Sequence, residues 1–295
     1  MEKQLGILGY GAVGKSLHSI YENLDIKISI ASSIKYVQHL KETQYLEVIN
    51  LEEYKNQNRG KYEIVIISTK IEKIENYIGL LKDIVTENTI ILPVQNGFYA
   101  YEYLEKEFGD NVLAASLSIV AKSENNTTSE NLTKKATFSI SKPRDQELNE
   151  VLTKFINTTK NNINYEIISN KQELLWRKFS RIVSLTCSCI YYQNELGEIL
   201  RNEEKYNFLI DTLDSIKSLA SKYGVVIIIE EELKRINNIS PHLKTSLYES
   251  LERGVPGEFK YIIVEALKRG IEKNIKLDNI EKTKEKIYKK YPWII

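Results

Sequence analysis

The chain has 295 residues, of which 42% are hydrophobic and 27% charged, a globular composition with more residues than one core usually organises. Its 41 basic and 40 acidic side chains give a formal net charge of +1, which argues against nucleic acid or an anionic membrane as a partner. No apolar run approaches the roughly 20 residues that cross a bilayer, and the first residues lack the pattern of a secretory signal. The sequence therefore predicts a cytoplasmic protein of two domains.

A glycine-rich turn follows the first strand-like run. Residues 4–8 read QLGIL and lead into GYGAVGKSL, in which Gly9, Gly11 and Gly14 match G-x-G-x-x-G between a strand and a helix. The first glycine of such a turn permits the bend, the second lets a pyrophosphate approach the backbone, and the third lets the helix pack on its strand. With another strand predicted at residues 26–32, the pattern predicts a dinucleotide site at Gly9, Tyr10, Gly11, Ala12, Val13 and Gly14.

The end of the second strand indicates which dinucleotide is preferred. An Asp or Glu at this place usually holds the ribose 2′-hydroxyl of NAD, but the chain reads Ala31-Ser32-Ser33-Ile34-Lys35, without an acid. Serine hydroxyls and a lysine can accommodate a 2′-phosphate instead. Ser32 and Lys35 therefore favour NADP(H), although Lys35 could also simply begin a solvated helix.

Two further strand-like runs, at residues 62–70 and 89–98, enclose a segment of helical period. Strand, helix and strand in this order predict a doubly wound α/β domain of Rossmann type. Ligands in such sheets lie beyond the carboxyl ends of the strands, where Lys70 and Asn96 are expected. Gly97 leaves open the alternative that Gln95-Asn96-Gly97 is an ordinary turn.

The pattern changes twice beyond this point. Residues 111–122 and 136–141 predict a β-hairpin or meander around a polar loop, and a strand at 163–169 is expected to end the sheet. The first domain, predicted to bind NADP, therefore spans residues 1–169. Residues 170–295 are predicted to form an all-helical C-terminal domain. Its helical segments are 171–192, 203–223, 229–236, 257–273 and 279–290, and residues 224–233 could be strand or helix.

One lysine, Lys178, lies on an apolar helix face. That face is formed at helical spacing by Leu174, Leu175, Ile182, Leu185 and Cys189. Lysines often lay their stem on apolar surface and keep the ammonium in water, and this alternative is open here. A lysine held in apolar surroundings instead has a lowered pKa, which suits a proton donor.

The remaining reactive side chains do not indicate a site. Cys187 and Cys189 are predicted to be buried structural thiols, because they lie within the apolar helix and point in different directions. His18, His39 and His242 are far apart and lack ligand spacing, so no metal site is predicted.

The motifs ILGYGAVG, STK, QNG, LLWRKF and TSLYESLERGVPGEFKYI occur in this order along nearly the whole chain. Together they resemble the ketopantoate reductase (2-dehydropantoate 2-reductase) family. The resemblance implies an NADPH-dependent oxidoreductase that reduces ketopantoate to pantoate in pantothenate and coenzyme A biosynthesis. It also implies the same fold, a Rossmann-type domain followed by a helical one, residues 170–295, that holds the substrate and the catalytic group.

The resemblance further implies roles for single residues. Lys178 would be the general acid that protonates the keto oxygen, and Glu258 would hold the substrate's hydroxyl. Ser246 would touch the carboxylate, Asn96 would orient substrate and lysine, and Lys70 would lie on the cofactor side. Taken alone, Glu258 also fits a carboxylate that only stabilises a helix N-terminus, and Ser246 a polar helix residue.

The chain departs from the family at several positions. Ile182 and Thr186 stand where the family usually has asparagines, Lys260 stands where an acid is usual, and SLYES replaces S-x-x-x-D. An isoleucine there predicts a more apolar pocket, so a reductase of a different 2-keto acid is one alternative. A non-catalytic NADP(H)-binding sensor is another, against which the retained Lys178 and Glu258 argue. The expected partner is a small 2-keto acid, with neither nucleic acid nor membrane, and the protein is expected to be a monomer or homodimer.

Overall fold

The computed structural model describes residues 3–24, 26–43, 45–51, 62–118, 121–123, 129–131, 136–143 and 150–294. The chain forms two compact units. The first, an α/β unit, comprises Met1–Gln95 and Tyr99–Leu174, and the second, a helical unit, comprises Asn96–Phe98 and Leu175–Ile295. Three residues from the first third of the chain thus belong to the helical unit.

A five-stranded parallel sheet forms the centre of the α/β unit. Its strands are β1 (Lys3–Leu8), β2 (Ile28–Ser32), β3 (Leu46–Asn50), β4 (Tyr62–Ile67) and β5 (Ile90–Pro93). They lie in the order β3-β2-β1-β4-β5, and every neighbouring pair is parallel. All five residues of β2 are buried, as expected for a parallel strand covered on both faces. The Rossmann-type arrangement predicted from the sequence is confirmed.

The helices of this unit are α1 (Ala12–Tyr21), α2 (Ile34–Val37), α3 (Ile78–Ile84), α4 (Tyr99–Phe108) and α5 (Glu150–Thr159). A 3₁₀ turn, Ile71–Tyr77, precedes α3. Helix α1 buries Leu17 and Tyr21 in the same core as Leu5 and Ile28 of the sheet. This packing places the N-terminus of α1 directly after β1.

A smaller mixed sheet follows. Strands β6 (Ala115–Ser118) and β9 (Thr137–Ser141) are antiparallel, and β10 (Asn164–Ile168) lies parallel to β9. Between β6 and β9, strands β7 (Ala121–Ser123) and β8 (Ser129–Asn131) pair with each other. The predicted meander is confirmed, but most of its polar loop lies outside the described residues.

Two predictions about strands need correction. The strand predicted to end the main sheet, β10, lies in the separate three-stranded sheet, because the α5 crossover returns the chain beside β9. The edge strand β3 was not predicted. It is half-buried, and its second residue, Glu47, accepts hydrogen bonds from the hydroxyls of Ser29 and Tyr62, at 2.7 and 3.1 Å. A charged residue within a strand of only five residues concealed the pattern.

The second unit is helical, as predicted. Its helices are α6 (Lys171–Tyr192), α7 (Leu196–Arg201), α8 (Glu203–Ser221), α9 (Ile229–Asn237), α10 (Ser246–Glu252), α11 (Glu265–Glu272) and α12 (Asp278–Lys290). The ambiguous residues 224–233 begin without regular structure and enter α9 at Ile229. Helix α11 is preceded by a π-helical turn, Lys260–Val264. Within the described ranges, no helix is both long and apolar enough to cross a membrane.

Local signals explain the ends of the longest helices. Neither glycine nor proline interrupts α6, and the chain leaves it at Gln193, whose φ of 54° cannot continue a right-handed helix. Helix α8 starts at Asn202, whose side chain accepts the backbone N–H of Lys205 at 3.1 Å, the usual N-cap contact.

Phe98 is the reason that Asn96–Phe98 belongs to the helical unit. Its ring is 1% exposed, and its centroid lies 4.9 Å from that of Trp176 and 5.0 Å from that of Phe179, both on α6. The guanidinium carbon of Arg269, on α11, lies 4.0 Å from the centroid of the same ring. This aromatic cluster fixes the turn that carries Asn96 against α6.

We expect Phe98→Ala to lower the free energy of unfolding by about 3–5 kcal/mol, because it leaves a cavity between Trp176, Phe179 and Arg269. Urea denaturation followed by tryptophan fluorescence would measure this. The control is Val226→Ala, at a side chain that is 79% exposed, where the change should stay within about 0.5 kcal/mol. Equal effects of the two substitutions would contradict the role given to Phe98.

Candidate functional site

The glycine turn after β1 has the geometry that a dinucleotide requires. Gly9 has a φ of +101°, and a Cβ there would lie 2.4 Å from the backbone nitrogen of Thr69. A Cβ at Gly14 would lie 2.0 Å from the carbonyl oxygen of Gly9. At Gly11, a Cβ would meet no heavy atom of the described residues within 4 Å. The first and third glycines are thus required by packing, and the second presents an open backbone face.

Hydrogen bonds from neighbouring strands hold this turn. The hydroxyl of Ser68 donates to the carbonyl of Gly9 at 2.9 Å, and the backbone N–H of Gly9 donates to Ala31 at 2.8 Å. Ser68 also donates its backbone N–H to Leu8 at 2.8 Å. Sequence reasoning missed Ser68, although it begins the STK motif.

Helix α1 begins at the open face of the turn. Gly11 is its N-cap residue, no side chain caps it, and its first turn contains no acid. Ala12 and Val13, which open the helix, are half-buried. The first N–H groups of a helix attract anions, and a phosphate is their usual ligand in this context. The turn and the helix start therefore fit the pyrophosphate of a dinucleotide.

The residues predicted to select the dinucleotide have different surroundings. Ser32 is 3% exposed, and its hydroxyl accepts the backbone N–H of Tyr10 at 3.3 Å. Lys35, on α2, is exposed, with its ammonium 4.9 Å from the ring centroid of Tyr36. Ser32 thus supports the glycine turn, whereas Lys35 is an exposed cation close after β2.

Tyr10, within the glycine turn, has a buried side chain. Its side chain is 3% exposed, and its hydroxyl lies 2.8 Å from Nδ1 of His18 on α1. Burial, with a smaller effect of Glu22, raises the pKa of Tyr10 to about 12. Burial lowers the pKa of His18. Both groups are therefore neutral near pH 7 and act as structural support.

Lys70 follows β4, as the sequence predicted, and its side chain is exposed. It precedes the 3₁₀ turn Ile71–Tyr77. The residue before it, Thr69, accepts the side-chain N–H of Gln95 at 3.0 Å through its carbonyl oxygen. This contact links the chain segments that follow β4 and β5.

Lys178 is buried within the helical unit. Its side chain is 6% exposed, so its ammonium does not extend into water as a snorkelling lysine would. Burial lowers the pKa of Lys178 from 10.5 to about 7. Two nearby charges act in opposite directions, because Glu258 raises this pKa and Arg181 lowers it. Close to neutral pH, this ammonium can therefore both hold and release its proton.

Asn96 and Glu258 complete a cluster around this lysine. The side-chain N–H of Asn96 donates to Oε2 of Glu258 at 2.8 Å. The backbone carbonyl of Glu258 accepts the N–H groups of Tyr261 and Ile262, both at 3.0 Å, at the start of the π-helical turn. Such π turns occur frequently at functional sites. Three of the predicted site residues thus come together in one unit.

Ser246 stands apart from this cluster. It is the first residue of α10, its side chain is exposed, and in the described part of the chain no hydrogen bond joins it to Asn96, Lys178 or Glu258. The preceding residue, Thr245, is 7% exposed, and its hydroxyl has no partner among the described residues. Sequence reasoning did not single out Thr245.

Ile182 and Thr186 continue the face of α6 that carries Lys178. At 3.6 residues per turn, the three side chains fall within about 80° of one another around the helix axis. Ile182 is half-buried and Thr186 is 1% exposed. The hydroxyls of Ser184 and Ser188 each donate to the carbonyl four residues earlier, at 2.8 Å. That of Thr186 has no partner in the described ranges.

The two cysteines of α6 are buried, as predicted. Burial raises the pKa of Cys187 and of Cys189 to about 12. A thiol with this pKa is a poor nucleophile at neutral pH. Cys187 and Cys189 are therefore poor candidates for a nucleophile.

The chain is similar to known proteins in sequence and in fold. Residues 25–144 match the family model described as ketopantoate reductase PanE/ApbA. YkpB of Bacillus subtilis (strain 168), described as an uncharacterized oxidoreductase, is 22% identical over 200 residues. That match spans 66% of this chain and 66% of the relative, just under two thirds of each.

Solved structures share the fold along almost the whole chain. The ternary structure of D-mandelate dehydrogenase with NADH and anilino(oxo)acetate has a TM-score of 0.85 at 13% identity and covers 99% of both chains. The 2-dehydropantoate 2-reductase from Geobacter metallireducens GS-15 has a TM-score of 0.81 at 15% identity, covering 97% of this chain and 99% of the other. The family model matches residues 25–144, and together with the shared fold it supports the resemblance to the ketopantoate reductase (PanE/ApbA) family.

Proposed function

We propose that this protein uses NADPH to reduce the keto group of a small 2-keto acid, with ketopantoate as the first candidate. Its product would then be pantoate, for pantothenate and coenzyme A synthesis in the cytoplasm. The observation that carries the proposal is the buried ammonium of Lys178, which lies near Glu258 and has a pKa of about 7. A structural lysine has no need of these surroundings.

The chemistry of ketone reduction requires such a group. Negative charge develops on the keto oxygen as the carbon is reduced, and a positioned proton donor lowers the barrier. A bound reduced nicotinamide would supply the hydride. Lys178 would donate a proton from Nζ to the keto oxygen, which becomes the product hydroxyl, and the lysine would be left neutral. Its low pKa makes this proton available at neutral pH.

Asn96 and Glu258 would position the reacting groups. The carboxylate of Glu258 keeps part of the Lys178 population protonated, since its charge raises the pKa of the lysine. It can also accept a hydrogen bond from a hydroxyl of substrate or product. The N–H of Asn96, at 2.8 Å from Oε2, holds the carboxylate in one orientation. Ser246 has an exposed hydroxyl that could donate to the substrate's carboxylate.

The α/β domain, residues 1–169, would hold the cofactor. The glycine turn and the N-terminus of α1 would bind the pyrophosphate, for the geometric reasons given above. The exposed ammonium of Lys35 would pair with a 2′-phosphate, which supports NADPH over NADH. Ser32 would contribute by supporting the turn through Tyr10. Lys70 would lie close to the cofactor as an exposed cation.

A second candidate substrate is a 2-keto acid with an apolar side chain. The observation in its favour is Ile182, one helical turn beyond Lys178 on the same face of α6. A structure similar to this chain is that of D-mandelate dehydrogenase, whose bound anilino(oxo)acetate carries an aromatic ring. For such a substrate, the helical domain, residues 170–295, would provide the same proton donor. Only the pocket for the substrate's side chain would differ from that of a ketopantoate reductase.

We expect Lys178→Met to lower kcat for ketopantoate reduction by about 10²–10⁴-fold, because it removes the proton donor while filling the same volume. In the parent protein, the rate of reduction should fall as the pH rises through about 7, because Lys178 then loses its proton. NADPH consumption between pH 5.5 and 9, at limiting and saturating substrate, would measure both effects.

The control for this experiment is Lys217→Met, at an exposed lysine of α8 that pairs with Asp214. It should leave kcat and its pH dependence unchanged. NADPH affinity, measured by fluorescence, should be the same for all three proteins. Full activity of Lys178→Met would refute the assigned role.

The glycine turn gives a prediction that separates binding from folding. Gly11→Ala should preserve the melting temperature, because its Cβ meets none of the described atoms, yet it should weaken NADPH binding by at least about tenfold through obstruction of the pyrophosphate. Gly14→Ala should destabilise the fold, because its Cβ would overlap the carbonyl of Gly9. Calorimetry of both variants, with and without NADPH, would measure the melting temperatures and the stabilisation by the cofactor. A lower melting temperature for Gly11→Ala than for Gly14→Ala would contradict the prediction.

Ile182→Asn should shift the substrate preference from apolar 2-keto acids toward hydroxylated ones such as ketopantoate. A new hydrogen bond of about 1 kcal/mol would change the ratio of kcat/KM values by roughly 5-fold or more. The panel would contain ketopantoate, 4-methyl-2-oxopentanoate and phenylpyruvate. Ile182→Leu, which keeps the pocket apolar, is the matched control. An unchanged ratio in Ile182→Asn would show that this side chain does not contact the substrate.

A further inference from the structure

A buried cluster of charges lies beside Lys178 on α6. Its centre is Glu232 of α9, which is 1% exposed. Oε1 of Glu232 accepts Nε of Arg177 at 3.1 Å, and Oε2 accepts Nη1 of Arg181. Arg235 lies 3.9 Å from Oε1. One buried carboxylate thus holds two arginines that flank Lys178 in the sequence.

The two arginines of α6 are themselves largely buried, at 14% and 12% exposure of their side chains. Buried charges of this kind are costly unless they are paired, and the loss of one partner leaves the others uncompensated. Glu232 is the anion that joins Arg177 and Arg181, whereas Glu231 pairs with Arg177, at 3.2 Å, and with no other cation of the described residues, and it is 52% exposed. The position of both guanidinium groups therefore depends on Glu232.

Arg181 follows Lys178 by three residues on α6, so their side chains are neighbours on the helix surface and the cluster is coupled to the lysine through this arginine. Charges that act on the pKa of Lys178 include Glu258, from the segment before the π-helical turn, which raises it, and Arg181, which lowers it. Asn96 contributes a neutral amide, bonded to Glu258. Any movement of Arg181, or loss of the anion that offsets its charge, therefore changes the electrostatic surroundings of the lysine.

We propose that Glu232 is a positioning residue for the proton donor, because it clamps Arg177 and Arg181 and so determines how readily Lys178 holds its proton. The effect of Glu232 on turnover rests on the proposed function, but its effect on the protonation of Lys178 does not. Among the described residues, the ion pairs of Glu232 are with Arg177, Arg181 and Arg235, so it acts on Lys178 through Arg181.

The proposal predicts opposite effects of two substitutions. Glu232→Gln removes the anion but keeps the shape, so the charge of Arg181 is less compensated and Lys178 should release its proton at a lower pH. Arg181→Met removes the cation, so Lys178 should keep its proton to a higher pH. If the ion pairs only held α6 in place, either substitution would loosen the helix and admit water. The pKa of Lys178 would then rise toward that of an ordinary lysine in both variants.

The experiment is an NMR titration of the protein with ¹³Cε-labelled lysine, which needs neither substrate nor cofactor. The Lys178 signal is identified by its loss in Lys178→Met. We expect its midpoint to fall by about half a pH unit or more in Glu232→Gln and to rise by a similar amount in Arg181→Met. The matched control is Glu231→Gln, which makes the same charge change at an exposed neighbour and should leave the midpoint unchanged.

The outcomes separate this proposal from the proposed function. A midpoint in folded Glu232→Gln that is unchanged or higher overturns the proposal. If that variant does not fold, Arg181→Met decides, and a midpoint that does not rise overturns it. Midpoints that move as expected, together with a matching shift in the pH profile of kcat/KM, support both proposals. Midpoints that move as expected without turnover of any 2-keto acid support the role of Glu232 and remove the proposed function.

Discussion

The burial of one ammonium group on an apolar helix face is the constraint on which the helical unit depends. A cation removed from water needs compensating groups close by, and its surroundings otherwise favour the neutral form. Lys178 has Glu258 as its anion, and the balance against Arg181 brings its pKa close to 7. The turn at Asn96, held by the ring of Phe98, and the π-helical turn after Glu258 fix this anion in place. The fold thus keeps a costly arrangement that stability alone would not favour.

The local parts of the molecule could be predicted from the sequence. The roles of Gly9 and Gly14 follow from covalent geometry within a few residues, and the structure shows the close contacts that those roles require. The bounds of α6 are the predicted ones because 22 residues of uninterrupted helical period leave little freedom. The position of Lys178 on an apolar face could be predicted for the same reason, because it follows from the helical period alone.

Contacts between distant segments could not be predicted in this way. Glu232 is the third of three consecutive glutamates at the start of α9, a pattern typical of a solvated helix N-terminus. Only packing shows that this one is buried against Arg177 and Arg181, more than 50 positions earlier in the chain. Ser68 is a similar case, because its hydrogen bond to Gly9 joins residues 59 positions apart. The same limit applies to β10, whose partner is set by the α5 crossover.

The long separation of Asn96 from Glu258 also affects how the protein is made. Their hydrogen bond joins residues 162 positions apart, and the turn containing Asn96 packs with helices that follow it in the chain. At typical rates of synthesis, about 5–20 residues per second, the ribosome exposes Asn96 roughly 8–30 s before Glu258. During that interval the ring of Phe98 lacks α6 and α11 as neighbours. A nascent chain of this protein therefore carries one large aromatic side chain without its packing partners until most of the helical unit has been translated.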